Sequence, residues 1–376
     1  MTTRGKQSHY NIKFLKGYGF SVKLNNSKIQ LKNKYDPFAE SQTEEWFVHN
    51  LPYEKIVLQG NGYISTEALK LLTENNRQVV LLDHEGNPSS IMTGLMSSWT
   101  STDYRIGQYD TFRDSTKCQY LSKQIVKAKL ESQIKFLEST KSKDILSGLD
   151  KIKNFEKTIL NDPNPLAYEA KIARTYFDSF ANLIPEKFNF ESRNQSNQAT
   201  RKNKASDVIN ALLNYGYSVL ASQITKYING FGLDSYYGFY HKRHSGFQAL
   251  TYDLIEPFRW LVDYTVFKLA TSVSTSQKIK LKEIANTRDG TVRLSYDLIR
   301  RFLEMLERNF AKERKYNFRH GAKTQDGLKS VKEIVVAKIT VNNLAEYCTG
   351  KQKEFRVFNE IGQLKLQQKK KQLPHR

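Results

Sequence analysis

Five acidic or imidazole side chains stand beside apolar runs in a chain otherwise rich in Lys and Arg. Glu169 lies in NDPNPLAYEAKIARTYFDSF, His241 and His244 in YYGFYHKRHS, and Asp253 and Glu256 in GFQALTYDLIEPFRWLVDY. Hard divalent ions such as Mg²⁺ and Mn²⁺ take carboxylate oxygens, and Mn²⁺ also accepts imidazole. Such an ion bridges a phosphodiester, stabilises the charge of in-line attack and activates a hydroxyl. Each segment also has a plainer reading. A Glu in the first turn of a helix favours the positive end of its dipole, and a lone His is usually structural. Taken singly, the segments leave both readings open.

The elements that carry these residues can be read from local chemistry. Asn164 followed by Pro165 is a helix start, with a polar cap and then a proline whose missing N–H costs nothing. Leu166, Ala170, Ala173, Phe177 and Phe180 then form an apolar stripe, with Glu169 beside it in the first turn. Asp207 caps a second helix expected to end at Gly230. Ile209, Leu213, Gly216 and Leu220 make its apolar face, and Asn210 and Asn214 share another face, where they are expected to satisfy backbone groups. Asp253 and Glu256 fall three apart at the head of a third helix, so their carboxylates point the same way. Pro257 disfavours helical backbone at Glu256.

From about residue 112 the pattern is helical. In YLSKQIVKAKLESQIKFLEST, Leu121, Ile125 and Ala128 share one face and the lysines are expected on the other. Residues 10–90 read differently. YNIKFLKGYGFSVKLNNSKIQLKN has short alternating runs broken at Lys-Gly, Asn-Asn and Asn-Lys. Ser65 caps the helix STEALKLLTEN, and QVVLLDHEGNP is a buried strand and turn. The expected fold class is α+β: a small β-rich domain over residues 1–100, a larger all-α domain over 101–358, and a basic tail over 359–376.

Composition narrows the partner. The chain has 376 residues, with 59 Lys+Arg against 38 Asp+Glu, a formal net charge of +21. That excess calls for a polyanion, nucleic acid before an anionic membrane surface, and exceeds what a small acidic metabolite needs. It is concentrated in residues 117–143, 193–204 and 312–332 and in the tail KLQQKKKQLPHR. Among 21 Tyr and 21 Phe, such runs suit phosphate contact and base stacking. Two cysteines, Cys118 and Cys348, supply neither a disulfide framework nor a four-cysteine zinc site. The absence of a long apolar run and of a signal-type N-terminus gives the expectation of a soluble cytoplasmic protein.

AYEAKIARTYF, NALLNYGY and GFYHKRHSGFQALTYDLIEPFRWLVD resemble the three signature blocks of the CRISPR-associated Cas-one integrase family, which includes the casposases of mobile elements. The order agrees, and His241 precedes Asp253 by 12 residues and Glu256 by 15. GNGYISTEALKLL and VVLLDHEGNP resemble the family's N-terminal β domain. Residues 104–137, with Arg105, Gln108 and Lys129, fit the domain junction. Ala167 and Ala170 replace the glycines usual around Glu169, and YDPFAESQTEEWFVHN reads as an insertion.

The resemblance implies Glu169, His241 and Glu256 as ligands of Mg²⁺ or Mn²⁺, with Asp253 as a further acidic catalytic residue. Arg201, Lys202, Lys204, Lys242, Arg243 and His244 are the expected DNA-binding residues. The implied activity is metal-dependent integration, in which a DNA 3′-hydroxyl attacks a target phosphodiester. The implied assembly is a homodimer, with the small Cas-two partner in CRISPR spacer acquisition or without it as a casposase. The 26 residues after Gly350 are too few for the helix-turn-helix carried by many casposases, which favours the CRISPR setting. A branched-DNA endonuclease and a non-catalytic nucleic-acid scaffold are the rival readings. Without metal, the converging carboxylates are expected to repel one another.

Overall fold

The computed structural model describes residues 12–33, 41–83, 88–94, 99–158, 165–193, 205–241, 245–287, 290–317 and 328–357. The expected DNA-binding residues Arg201, Lys202, Lys204, Lys242, Arg243 and His244, the Asn164 cap and the 359–376 tail lie outside them.

Six strands near the N-terminus form one sheet: β1 (Ile12–Asn25), β2 (Lys28–Asn33), β3 (Gln42–Trp46), β4 (Lys55–Ile64), β5 (Gln78–Leu82) and β6 (Pro88–Met92), in the order β3-β2-β1-β4-β5-β6. β1 and β2 pair antiparallel through a two-residue turn in which Asn26 and Ser27 both have positive φ, as a tight hairpin requires. The Lys-Gly break expected within β1 is instead a bulge. Gly17 and Gly19 have φ of 105° and 73°, and the pairing with β4 shifts register between Tyr18 and Phe20, so the strand bends without ending.

β4 and β5 run parallel, joined by helix α1 (Thr66–Glu74). Ser65 caps α1 by accepting from the Ala68 N–H at 3.2 Å. Ala68 and Leu72 bury against a core of Leu15, Val22, Ile29, Ile56 and Val79.

The remaining helices are α2 (Trp99–Arg113), α3 (Ser115–Thr140), α4 (Leu146–Thr158), α5 (Pro165–Ala181), α6 (Val208–Phe231), α7 (Ala249–Ile255), α8 (Trp260–Ala270), α9 (Tyr296–Phe310) and α10 (Glu333–Cys348). They surround a second, separate core. The helical part is not purely α: β7 (Ile284–Asn286) pairs with β8 (Val292–Leu294), and β9 (Glu313–Asn317) with β10 (Leu328–Lys332), as two antiparallel ribbons. The sheet contacts the helical part directly. The Gln78 side chain donates to the Ser222 carbonyl of α6 at 3.3 Å, and Phe14 meets Tyr296 edge-on. Among the described residues no helix is long and apolar enough to cross a membrane.

α3 runs through the middle of the helical part. Leu121, Ile125, Leu130, Phe136 and Leu137 are buried, and so are Lys129, Ser132 and Gln133. The expected division into an apolar face and a lysine face therefore fails at Lys129, because helices pack around α3 from more than one side. In α6, Asp207 caps as expected, accepting from the Asn210 N–H at 2.8 Å. The helix ends at Phe231, one residue later than expected, and Gly232 caps it in the left-handed conformation.

Candidate active site

Glu169 is carried by α5. The buried face of that helix is Ile172, Tyr176 and Phe180, while Ala170 is exposed. Counting back three from Ile172 puts Glu169 in line with this face, so the stripe is rotated from the one read in the sequence and the carboxylate points inward. Its two oxygens are both engaged: Oε1 by the Lys129 ammonium and Oε2 by the Tyr240 hydroxyl.

Glu256 sits where α7 stops and α8 begins, in a short 3-10 turn over Glu256–Phe258. It is helical, at φ −51° and ψ −48°, despite the proline that follows. Pro257 falls at the start of the turn, where its missing N–H leaves no bond unmade. Asp253 is thus not the head of a helix but a buried residue inside α7, and the junction brings Glu256 to the α3 side. Glu256 is 2% exposed. Its Oε2 lies 2.6 Å from Lys129 Nζ and its Oε1 2.8 Å from Arg259. Burial alone would raise its pKa, but the Arg259 and Lys129 charges overcome that and hold it down at about 2. Lys129 is the converse: burial disfavours its charge, yet Glu256 and Glu169 keep its pKa above the ordinary lysine value.

The segment between α6 and α7 presents His241. Arg105 donates to the Gly232 carbonyl at 2.8 Å. Gln108 donates to the carbonyls of Asp234 and Tyr237 and accepts from the Asp234 N–H. Asp253 then gathers the end of the segment. Oδ2 accepts from the N–H groups of Phe239 and Tyr240 at 2.8 and 3.1 Å, and Oδ1 from that of His241 at 2.9 Å. A Cβ on Gly238 would come within 2.5 Å of Asp253 Oδ2, so only glycine lets the chain pass this close.

Asp253 Oδ1 is also 2.7 Å from His241 Nδ1. An ionised carboxylate only accepts, so Nδ1 carries the proton and the lone pair is on Nε2. Burial opposes protonation of the ring, but the bond to Asp253 and the charges of Asp253, Glu256 and Glu169 raise its pKa.

Glu169, Glu256, His241 and Asp253 therefore converge, although they come from α5, the α7–α8 junction, a loop and α7. They are joined by residues that the sequence reading did not place at the site: Lys129, named there only at the domain junction, and Tyr240 and Arg259. Among the described residues no three acidic, histidine or cysteine side chains stand as a ready metal cage. The two glutamates share an ammonium instead. The ammonium offsets the repulsion expected between them.

The family model described as CRISPR associated protein Cas1 matches residues 14–308. The chain belongs to the Cas1 family. The CRISPR-associated endonuclease Cas1 of Archaeoglobus fulgidus is 28% identical over 67% of this chain and 76% of its own. That of Francisella tularensis subsp. novicida is 28% identical over 71% and 82%. A casposase bound to its integration product superposes with a TM-score of 0.77 at 26% identity, covering 94% of this chain and 95% of that one. A Cas1 protein from Thermotoga maritima shares the fold, with a TM-score of 0.70 at 17% identity over 92% and 98%.

Behind the carboxylates this Cas1 chain has a second buried layer. The Arg259 guanidinium stacks on Tyr217, 4.6 Å from the ring centre. The hydroxyls of Tyr217 and Tyr176 both donate to Asp263, which has no exposed surface. Arg193 also stacks on Tyr217 and donates to Asn210 at 2.7 Å and Asn214 at 3.0 Å; Asn210 in turn donates to the Ser192 carbonyl at 3.0 Å, so it serves the backbone as expected and both asparagines also hold a side chain. Two signals in the sequence point to these buried polar residues, one between the carboxylates and one behind them. Lys129 continues the four-residue row of Leu121 and Ile125, and Asp263 interrupts the apolar run WLVDYTVF.

Proposed function

We propose that this chain is a metal-dependent DNA integrase that joins a DNA 3′-hydroxyl end to a target phosphodiester by transesterification. One observation carries the reading: Glu169 and Glu256, from two separate elements, converge on a single cation beside His241, whose Nδ1 is bound to a buried carboxylate. Two carboxylates and an imidazole nitrogen are a donor set suited to Mn²⁺ or Mg²⁺. Glu169, His241 and Glu256 would hold the ion, which when bound would supply Lewis-acid stabilisation of the charge that develops at the phosphodiester.

The chain's own residues do the rest. Asp253 fixes the ring of His241 with Nε2 as the free nitrogen. Arg259 holds one oxygen of Glu256 and so fixes the direction of the other. Because transesterification needs no covalent enzyme intermediate, the protein contributes position and electrostatics. The positive charge dispersed over the chain, including Arg201, Lys202, Lys204, Lys242 and Arg243, binds the phosphates, with His244 as a further DNA contact.

On this reading residues 1–100 form a dimerisation domain, 101–358 the catalytic domain and 359–376 a basic tail. The setting is CRISPR spacer acquisition with a Cas2 partner in the cytoplasm. A second setting, casposon transposition, is favoured by the 26% identity and 94% coverage shared with the product-bound casposase. The chemistry is the same in both.

The test is incubation of the purified protein with a 3′-hydroxyl oligonucleotide and plasmid, with and without Mn²⁺ and with and without a Cas2 protein. Joined strands are expected only with metal; strands that are only shortened would make the enzyme a hydrolytic nuclease. His241→Ala is expected to abolish joining while leaving duplex affinity within a few-fold, because affinity comes from dispersed Lys and Arg. Collapse of binding in a gel shift would make His241 a DNA anchor instead.

A further inference from the structure

We propose that Lys129 is a resident counterion of the carboxylate pair, and that its ammonium must leave the space between Glu169 and Glu256 for a divalent ion to bind. The inference rests on the metal-dependent reading above and concerns a residue that reading does not use.

The oxygens decide it. Each glutamate offers two. Oε1 of Glu256 is held by Arg259 and Oε2 of Glu169 by the Tyr240 hydroxyl. The remaining pair, Glu256 Oε2 and Glu169 Oε1, are the two on which Lys129 Nζ sits. These are the two oxygens that the glutamates turn toward one common point, so an ion bridging the glutamates there takes them. It would then share oxygens that the ammonium already touches, beside a like charge.

Lysine suits a removable counterion. Its charge is a compact point on a flexible four-carbon stem, whereas the planar guanidinium of Arg259 is stacked on Tyr217 and fixed. The Lys129 side chain is 9% exposed and that of Glu169 20%, against 2% for Glu256, so the pair opens toward solvent on its Glu169 side. Lys129 thus positions both carboxylates before metal arrives and competes with metal afterwards.

The experiment is Mn²⁺ titration of the full-length, DNA-free protein, read by the electron paramagnetic resonance of free Mn²⁺, together with melting temperatures with and without the ion. Lys129→Met keeps the length of the side chain and removes the charge. It is expected to lower the Kd for Mn²⁺ by about tenfold or more, since a like charge is gone. It is also expected to lower the melting temperature of the metal-free protein and to enlarge the rise on adding Mn²⁺. A Kd unchanged or raised in Lys129→Met would overturn the inference while leaving the metal reading intact. Mn²⁺ uptake by neither protein would overturn both. If Lys129→Met does not fold, wild-type crystals soaked in Mn²⁺ replace it: Nζ is expected beyond 4 Å from both glutamates, and contact retained beside a bound ion would refute displacement.

Discussion

Asp253 and His241 act as one unit. The same carboxylate oxygen, Oδ1, accepts the backbone N–H of His241 at 2.9 Å and lies 2.7 Å from its Nδ1. With Phe239 and Tyr240 donating to Oδ2, the acid is occupied by groups of the loop that carries the histidine. The position of the imidazole and its tautomer are therefore set by one buried side chain, and Asp253 is a positioning residue in this arrangement.

Asp253→Asn should accordingly disturb more than charge. The amide NH₂ would face N–H donors, leaving at least one buried group unpaired, at a cost of about 2–4 kcal/mol. Urea unfolding should show that loss. Strand transfer should fall with it, because His241 loses its orientation. A variant as stable as wild type would mean that the carboxylate does not hold the loop.

Glu256→Gln is expected to be harsher than Glu169→Gln. Glu256 is 2% exposed and faces both Lys129 and Arg259, so neutralising it leaves the half-buried Arg259 without its carboxylate and the buried Lys129 with Glu169 alone. The cost should be about 3 kcal/mol or more. Glu169 is more open to solvent, and its loss leaves Lys129 paired with Glu256. Equal midpoints of denaturation for the two variants would contradict this order.

Asp263 gives a pH signature away from the metal-binding candidates. Burial raises its pKa to about 6, against the opposing pull of the two tyrosine hydroxyls and of Arg259 and Arg193. A folded-state pKa above the unfolded value near 4 means that the folded protein holds the proton longer. The contribution to stability is complete below pH 4 and is lost as pH rises through about 6, on the order of 2–3 kcal/mol. Asp263→Asn does not titrate. The stability difference between wild type and variant should therefore shrink between pH 4 and pH 6 in paired denaturation curves, and a constant difference would rule out the shift.

DNA affinity should fall steeply with salt. With six or more phosphates neutralised, log K against log[salt] should slope about −5 or steeper. Replacing Arg201, Lys202 and Lys204 together by Gln should make the slope shallower and spare metal-dependent joining. An unchanged slope would remove that segment from the interface.

Much of this protein is written locally. Ser65 and Asp207 announce helix starts because a side-chain oxygen satisfies an orphan N–H within three residues of itself, and Pro165 begins α5 because a first-turn proline has no bond to lose. The change from alternating to helical pattern between the sheet and the helices is likewise a short-range property. So is the +21 charge, which points to a polyanion whatever the fold. The spacing of His241, Asp253 and Glu256 made the family resemblance legible. What those residues touch was not. Periodicity put Lys129 on a solvent face and Asp253 at the head of a helix, because one helix read alone has only an inside and an outside. In the folded chain α3 is enclosed by several helices, so the side chain that continues its apolar row becomes a buried cation. Glu169 and Glu256 reach it from α5 and the α7–α8 junction only because packing places those elements around α3. No local rule encodes that meeting, since the energy that fixes it is spread over the long-range core that the helices bury together.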